Sequence, residues 1–238
     1  MTKTAILFGA SGFVGSYLLD ELLNNAHYEK VTIVVRKDLN IGHPKLETLT
    51  GDYYSLPDLK AKLFADEIFI TLGTTQKNTP DKDEYYQVDH DYPVLAAKIA
   101  KEKGAKAVFV VTAVGANKDS GIFYLKTKGE TERDILALNF EHTNIFRPSM
   151  IMGNRKEHRS LEKIMIKVWS IINPVFLGRL SRYRGISGKD IARAMNNAAK
   201  NQSNKVKIYH WKEMNDLLYD SFHQRAATRV TLRVNHER

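Results

Sequence analysis

Three glycines at one strand-to-helix junction constrain this chain more than anything else in it. Gly9, Gly12 and Gly15 stand in the run Gly9-Ala10-Ser11-Gly12-Phe13-Val14-Gly15. The run follows a short apolar strand, Thr4 to Gly9, and opens a segment, Phe13 to Asn24, whose apolar residues recur with the period of a helix. At such a junction each glycine has its own task. Gly9 permits the tight turn, Gly12 leaves backbone N–H groups open to a pyrophosphate, and Gly15 lets the helix pack close to the sheet. The free N–H groups and positive dipole end of the helix then face the phosphates. The spacing is G-x-x-G-x-x-G, with Ala10 where the G-x-G-x-x-G pattern has its first glycine. Ser11, Phe13 and Val14 belong to the same candidate phosphate site.

The rest of the first two thirds alternates strand and helix. Val31 to Val35, Leu46 to Gly51, Glu67 to Leu72, Ala107 to Thr112 and Thr143 to Phe146 read as strands. Helices are expected at Leu56 to Phe64, at Tyr85 to Lys103 with a break or restart at Pro93, and at Ile122 to Leu138. Strands as apolar as VTIVV need cover on both faces, so the expected fold is α/β, a doubly wound parallel sheet. Residues 150–238 read as mainly helical, with candidates at Leu161–Ile172, Lys189–Lys200 and Trp211–Phe222. We expect a single domain over 1–238, with a cofactor-binding core over about 1–149 and a substrate-side extension over 150–238.

At 238 residues with 43% hydrophobic and 26% charged residues, the chain has the composition of a globular domain. It has no cysteine, which excludes disulfides, a thiol nucleophile and a zinc–thiolate site. Its eight histidines are scattered without metal-ligand spacing, so no metal site is expected. The net charge is +9 and the sequence pI about 9.5, which suits anionic small molecules as well as a generally basic surface. The basic tail, Gln224 to Arg238, lacks the aromatic context of a nucleic-acid surface, so nucleic acid is not expected as a partner. No run reaches the ~20 apolar residues of a membrane span. The apolar run after Lys3 meets glycine at once and is too short for an export signal, so the expected location is cytoplasmic.

The second strand chooses between dinucleotides. An acid about 20 residues past the glycines would bind the ribose 2′-hydroxyl of NAD. This chain has Arg36 and Lys37 there, and a guanidinium forks onto a 2′-phosphate instead, so the expected cofactor is NADP(H). Asp52, with Tyr53 beside it, is a candidate for the adenine, or a turn aspartate. Leu72, Gly73 and Thr74 reach the carboxyl edge of the sheet, where ligands bind in such folds.

Tyr124 and Lys128 are i, i+4 and share a helix face. Thr112 ends the preceding strand. Together they can form a proton-transfer unit. Tyr124 would exchange a proton with a carbonyl or alcohol oxygen, Lys128 would favour its phenolate and hold the nicotinamide ribose, and Thr112 would orient the substrate oxygen.

The segments GASGFVG, VTIVVRK, TAVGANKDSGIFYLKTKGE and FRPSMIMGNR resemble the short-chain dehydrogenase/reductases, most of all the atypical branch that includes the Tat-interacting-protein-like oxidoreductases. The resemblance covers about residues 1–160, with a weaker echo in Tyr183 to Met195. It implies a Rossmann fold, a Thr112–Tyr124–Lys128 triad, and a cofactor site lined by Gly9, Ser11 to Val14, Arg36, Lys37, Asp52 and Gly73, with Pro148 and Ser149 by the nicotinamide. Serine is commoner at the position of Thr112. The expected function is reversible carbonyl reduction of a small molecule by a monomer or homodimer. A non-catalytic NADP(H) sensor acting through a protein partner, or an epimerase or dehydratase using the cofactor transiently, stays open.

Overall fold

The computed structural model describes residues 2–153 and 178–219. Seven parallel strands form one sheet in the order β3-β2-β1-β4-β5-β6-β9. They are β1 (Lys3–Phe8), β2 (Tyr28–Val35), β3 (Leu46–Thr50), β4 (Glu67–Ile70), β5 (Ala107–Val111), β6 (His142–Phe146) and β9 (Val206–Tyr209). The order reverses direction between β1 and β4, the switch point at which ligands bind in doubly wound sheets. A two-stranded parallel ribbon, β7 (Ile151–Met152) with β8 (Ile186–Ser187), lies outside it.

Alternation along each strand builds the two faces. Ala5, Leu7, Ile33, Phe69, Phe109 and Phe146 face one core with helices α1 (Phe13–Leu23) and α6 (Gly188–Ala198). Ile6, Phe8, Ile68, Ile70, Val108 and Ile145 face a second core with α4 (Tyr92–Glu102) and α5 (Phe123–Ala137). Two further short helices, α2 (Leu56–Leu59) and α3 (Lys82–Tyr86), precede these. Rings on paired strands stack at the sheet's own spacing: Phe69 on Phe109 and Phe146 on Tyr209, each with centroids 4.5 Å apart.

The helix expected around Pro93 is three pieces, and the proline explains them. Residues Gln87–Asp91 form a π-helical turn between α3 and α4, and Pro93 stands in the first turn of α4. Proline has no N–H to give the carbonyl four residues back, which is that of Asp89. The hydroxyl of Thr131, on α5, lies 2.8 Å from that carbonyl and 2.8 Å from the Thr127 carbonyl of its own helix, so its one proton is shared between the two. Thus one proline opens the helix, and the opening is stitched to the neighbouring helix.

The region after Pro148 holds strands as well as helices. The expected helix near Lys189–Lys200 is α6, and residues 211–219 are helical. Strand β9 was not foreseen, because an edge strand needs little hydrophobicity. Val206 to Ile208 are exposed, and only Tyr209 is buried. Its place is set by pairing with β6 and by the Tyr209 hydroxyl, which donates to Asn144 at 3.1 Å. The expected helix Leu161–Ile172, the cationic stretch Arg155–Arg159 and the tail from Gln224 lie outside the described residues. Among the described residues no helix is long and apolar enough to cross a membrane.

Gly129 sets the depth at which α5 docks. A β-carbon there would fall 2.1 Å from the backbone nitrogen of Lys118. Gly129→Ala should therefore lower stability by about 1–3 kcal/mol or more, as overpacking against backbone does. Urea unfolding followed by circular dichroism checks this, and an unchanged midpoint would refute the close approach.

Candidate cofactor and catalytic site

The glycine turn has the geometry that a phosphate-binding loop requires. Gly9 has φ +91°, and a β-carbon on it would lie 2.7 Å from Thr71 Oγ1. On Gly15 a β-carbon would fall 1.9 Å from the Gly9 carbonyl oxygen. Gly12 is the N-cap of α1, has no side chain to cap it, and the first turn has no acidic residue. The helix end therefore presents backbone and positive dipole with no anion of the protein's own placed against it. Ser11 is exposed and Val14 buried. The Phe13 ring turns away to pack where β-carbons on Gly153 and Gly188 would be, 2.3 and 2.7 Å from its atoms. These residues fit a dinucleotide pyrophosphate.

Arg36 and Lys37 follow β2 and are exposed. Arg36 is close enough to Tyr92 to pull its hydroxyl down, against burial and Asp52, which push it up to about 12. Arg36 follows β2 and Asp52 follows β3, and the two strand ends are joined by the Gly51 N–H to the Val35 carbonyl at 2.9 Å. Asp52 also organises its own turn: Oδ1 accepts from the Ser55 hydroxyl at 2.9 Å and from the N–H groups of Ser55 and Tyr54 at 3.0 and 3.1 Å. Those donors lower its pKa, the Ser55 backbone N–H first. Tyr53 packs edge-on between Tyr54 and Tyr92.

At the centre of the edge the structure assembles a group that the sequence reading did not anticipate. Lys128 is buried, and its ammonium lies 2.6 Å from Oδ1 of Asp89, which is only 1% exposed. The second oxygen of Asp89 accepts the backbone N–H of Thr74 at 2.7 Å. Tyr85 is buried nearby, and burial, Asp89 and Tyr124, in that order, hold its hydroxyl well above the usual tyrosine range. A β-carbon on Gly73 would stand 3.5 Å from Asp89 Oδ1 and 3.6 Å from Lys128 Nζ. Tyr124, Lys128, Gly73 and Thr74 are therefore brought to one locus, with Asp89 as its hub. Tyr124 is 38% exposed, so it can reach a bound molecule. Leu72 is half-buried, packed on the second core. The signal for Asp89 was present: an acid four residues before a proline and four after Tyr85.

Thr112 is placed differently. It is buried, and its hydroxyl donates to Oε1 of Glu132 at 2.6 Å. Glu132 is itself held by Arg147, whose Nε lies 2.9 Å from Oε1 and whose Nη2 reaches Oε2. A hydroxyl whose proton is committed to a carboxylate offers only lone pairs, so it cannot also donate to a carbonyl oxygen. Pro148 is buried, its carbonyl taking the Val114 N–H at 2.9 Å, and Ser149 is half-buried beside it.

Residues 9–165 match the model of a family described as NAD(P)H-binding. The chain belongs to this NAD(P)H-binding family. Among curated relatives, the mitochondrial protein FMP52 of Eremothecium gossypii is 34% identical over 181 residues, covering 76% of this chain and 77% of that one. The FMP52 of Candida glabrata, also named mitochondrial, is 37% identical over 156 residues, or 66% and 67% of the two chains. These names overturn the cytoplasmic expectation, which rested on an unconvincing export signal alone. Among solved structures, the Bordetella bronchiseptica enzyme WbmH in complex with NAD+ superposes with TM-score 0.66 at 18% identity, covering 89% of this chain and 76% of that one. The ADP-L-glycero-D-manno-heptose-6-epimerase of Helicobacter pylori gives TM-score 0.63 at 19% identity, covering 91% and 80%. At these identities the likeness is one of fold, and it establishes the Rossmann-type sheet.

Asp89→Asn removes the counter-charge of a buried ammonium while keeping the side chain's size. It should cost about 3–5 kcal/mol of stability. Adding Lys128→Met should recover part of that loss, because no unpaired charge is then buried. Chemical denaturation of the two single variants and the double variant measures this, and simple additivity of the two losses would refute the coupling.

Proposed function

We propose that the protein is an NADP(H)-dependent oxidoreductase of the short-chain dehydrogenase/reductase type, interconverting a carbonyl and an alcohol on a small molecule. The observation that carries this reading is the ammonium of Lys128, buried at the carboxyl edge beside Gly73 and one helical turn from Tyr124. The bound nicotinamide supplies or accepts the hydride. Tyr124 gives a proton to the substrate oxygen in reduction and takes it back in oxidation. Lys128 holds positive charge beneath that exchange. Asp89 positions Lys128, and the Thr74 N–H positions Asp89. Thr112 fixes the end of β5 through Glu132 and Arg147, a supporting role in place of contact with the substrate oxygen.

Arg36, with Lys37, is assigned to the 2′-phosphate of NADP(H). Both lie exposed at the end of β2, and no carboxylate is paired with either among the described residues. Within the family we place the chain nearest the Tat-interacting-protein-like oxidoreductases, on the segments quoted above. The names of its relatives support a mitochondrial location.

A second reading, a cofactor sensor without turnover, is favoured by the commitment of the Thr112 hydroxyl to Glu132. Two measurements separate the readings. Fluorescence titration should show NADPH bound more tightly than NADH, and Arg36→Ala should weaken NADPH by about tenfold or more, the worth of a charge-assisted contact, while sparing NADH. Equal affinity for the two in the native protein would remove Arg36 from the site. Tyr124→Phe should lower turnover in a carbonyl screen by about 10²–10⁴-fold without changing NADPH affinity. Retained turnover would refute the acid–base role, and NADPH binding with no turnover of any carbonyl would leave the sensor.

A further inference from the structure

We propose that the substrate carries an anionic group, a carboxylate or phosphate ester, and that Arg184, with Arg182 and His210, receives it. The inference rests on the carbonyl/alcohol reading for the position of the reacting carbon, and it adds the class of molecule. Its starting point is the path of the chain after β6. The segment from Arg147 to Met152 crosses the carboxyl end of the sheet, fastened by Val114 N–H to the Pro148 carbonyl and by Ile186 N–H to the Met150 carbonyl at 3.0 Å. The β7–β8 ribbon continues that contact. Residues 182–186 therefore run alongside Met150, next to the Pro148-Ser149 pair assigned to the nicotinamide.

Arg184 stacks on Trp211, the chain neighbour of His210, and Arg182 precedes Arg184 by two residues; among the described residues none of the three is ion-paired to a carboxylate as Arg147 is. The Arg184 guanidinium lies 4.7 Å over the Trp211 ring, and its Nε is buried with no hydrogen-bond partner among the described residues. Arg182 is exposed, over the ring of Tyr183 at 5.0 Å. His210 follows β9, and its Nδ1 is likewise buried with no partner among the described residues. Burial lowers the His210 pKa first, and Arg147 and Arg182 push the same way against Glu213 and Glu132. Glu132 is saturated by Arg147 and Thr112, and Glu213 accepts the His210 backbone N–H at 2.9 Å.

A buried guanidinium donor without an acceptor is costly. Stacking on an indole holds the plane of the guanidinium while leaving its edge free to donate. That edge matches the two oxygens of a carboxylate or phosphate. Arg147 shows the contrast within the same molecule: a guanidinium of the same edge, already closed by a glutamate of the protein.

The test uses the full chain with NADPH bound. Calorimetric titration compares 4-carboxybenzaldehyde with its neutral methyl ester, methyl 4-formylbenzoate, on the native protein and on Arg184→Met, which keeps an apolar stem over Trp211. The native protein should bind the acid at least about tenfold more tightly than the ester. In Arg184→Met that preference should vanish with NADPH affinity unchanged, and Arg184→Lys should restore only part of it because the planar fork is lost. Equal binding of the two aldehydes, binding of neither, or a preference that survives Arg184→Met would overturn the proposal. Turnover is recorded in parallel. Preference for the acid without its reduction leaves this inference standing and refutes carbonyl reduction. Reduction of both aldehydes with equal affinity does the reverse.

Discussion

A lysine ammonium sealed beside an aspartate is the interaction on which the rest of the site depends. Neither charge could be buried alone, since an isolated ion in a poorly polarisable interior costs several kcal/mol or more. The pair is tolerable because the Lys128 ammonium stands against one Asp89 oxygen and the Thr74 N–H donates to the other. The backbone around Asp89 is equally accounted for. Pro93 leaves its carbonyl without a helical partner, and Thr131 fills the gap from α5, one turn beyond Lys128. The Thr131 hydroxyl, shared with the Thr127 carbonyl, thus joins the two segments that carry the ion pair. The π-helical turn of residues 87–91 lies at this point, where an extra residue per turn aims Asp89 at the sheet edge.

The glycine loop and the later ribbon are coupled through Phe13. Its backbone belongs to the phosphate-facing end of α1, while its ring occupies the space that β-carbons on Gly153 and Gly188 would take. The ring also meets Tyr17 edge-on at 5.7 Å. Two glycines far apart in sequence therefore serve one aromatic ring. The cofactor side of the molecule and the β7–β8 ribbon are held at a fixed spacing as a result. Farther along, α1 joins α6 through Glu21 with Arg193, and Asn25, just past the end of α1, bonds to Asn196, so one helix touches both the glycine loop and the chain that follows the ribbon.

Buried acids mark both ends of the sheet, and their surroundings separate their roles. Glu67 lies at the amino end of β4, held by Lys3, by Gln202 at 2.6 Å and by the Tyr28 hydroxyl, whose pKa burial and Glu67 drive far up. It is saturated and distant from the ligand edge, a structural anchor for β1, β2 and β4. Glu132, at the carboxyl end, is saturated by Arg147 and Thr112 and fixes where β5 and β6 stop. Asp89 differs in holding the ammonium of Lys128. The basic surplus of the chain is likewise uneven in placement: Arg147 is closed by Glu132, Arg184 is stacked on Trp211, and Arg36 is exposed at the end of β2.

Much of this was legible in the chain itself. Gly9, Gly12 and Gly15 specify a loop no other residues could form, because two of the three β-carbons would collide with backbone. The alternation of Ile6 and Phe8 with Ala5 and Leu7 specifies a sheet covered on both faces. Tyr124 and Lys128 share a helix face by spacing alone. These features are local, set by steric exclusion and by periods of a few residues, so they survive being read one segment at a time. Partnership across the fold is not local. That Lys128 meets Asp89, 39 positions away, that Thr112 spends its proton on Glu132, and that Val206 to Tyr209 close the sheet beside β6 follow from which helices cross and which strands pair. Buried charge and edge pairing are energies of pairs, and only the tertiary structure decides who the partner is.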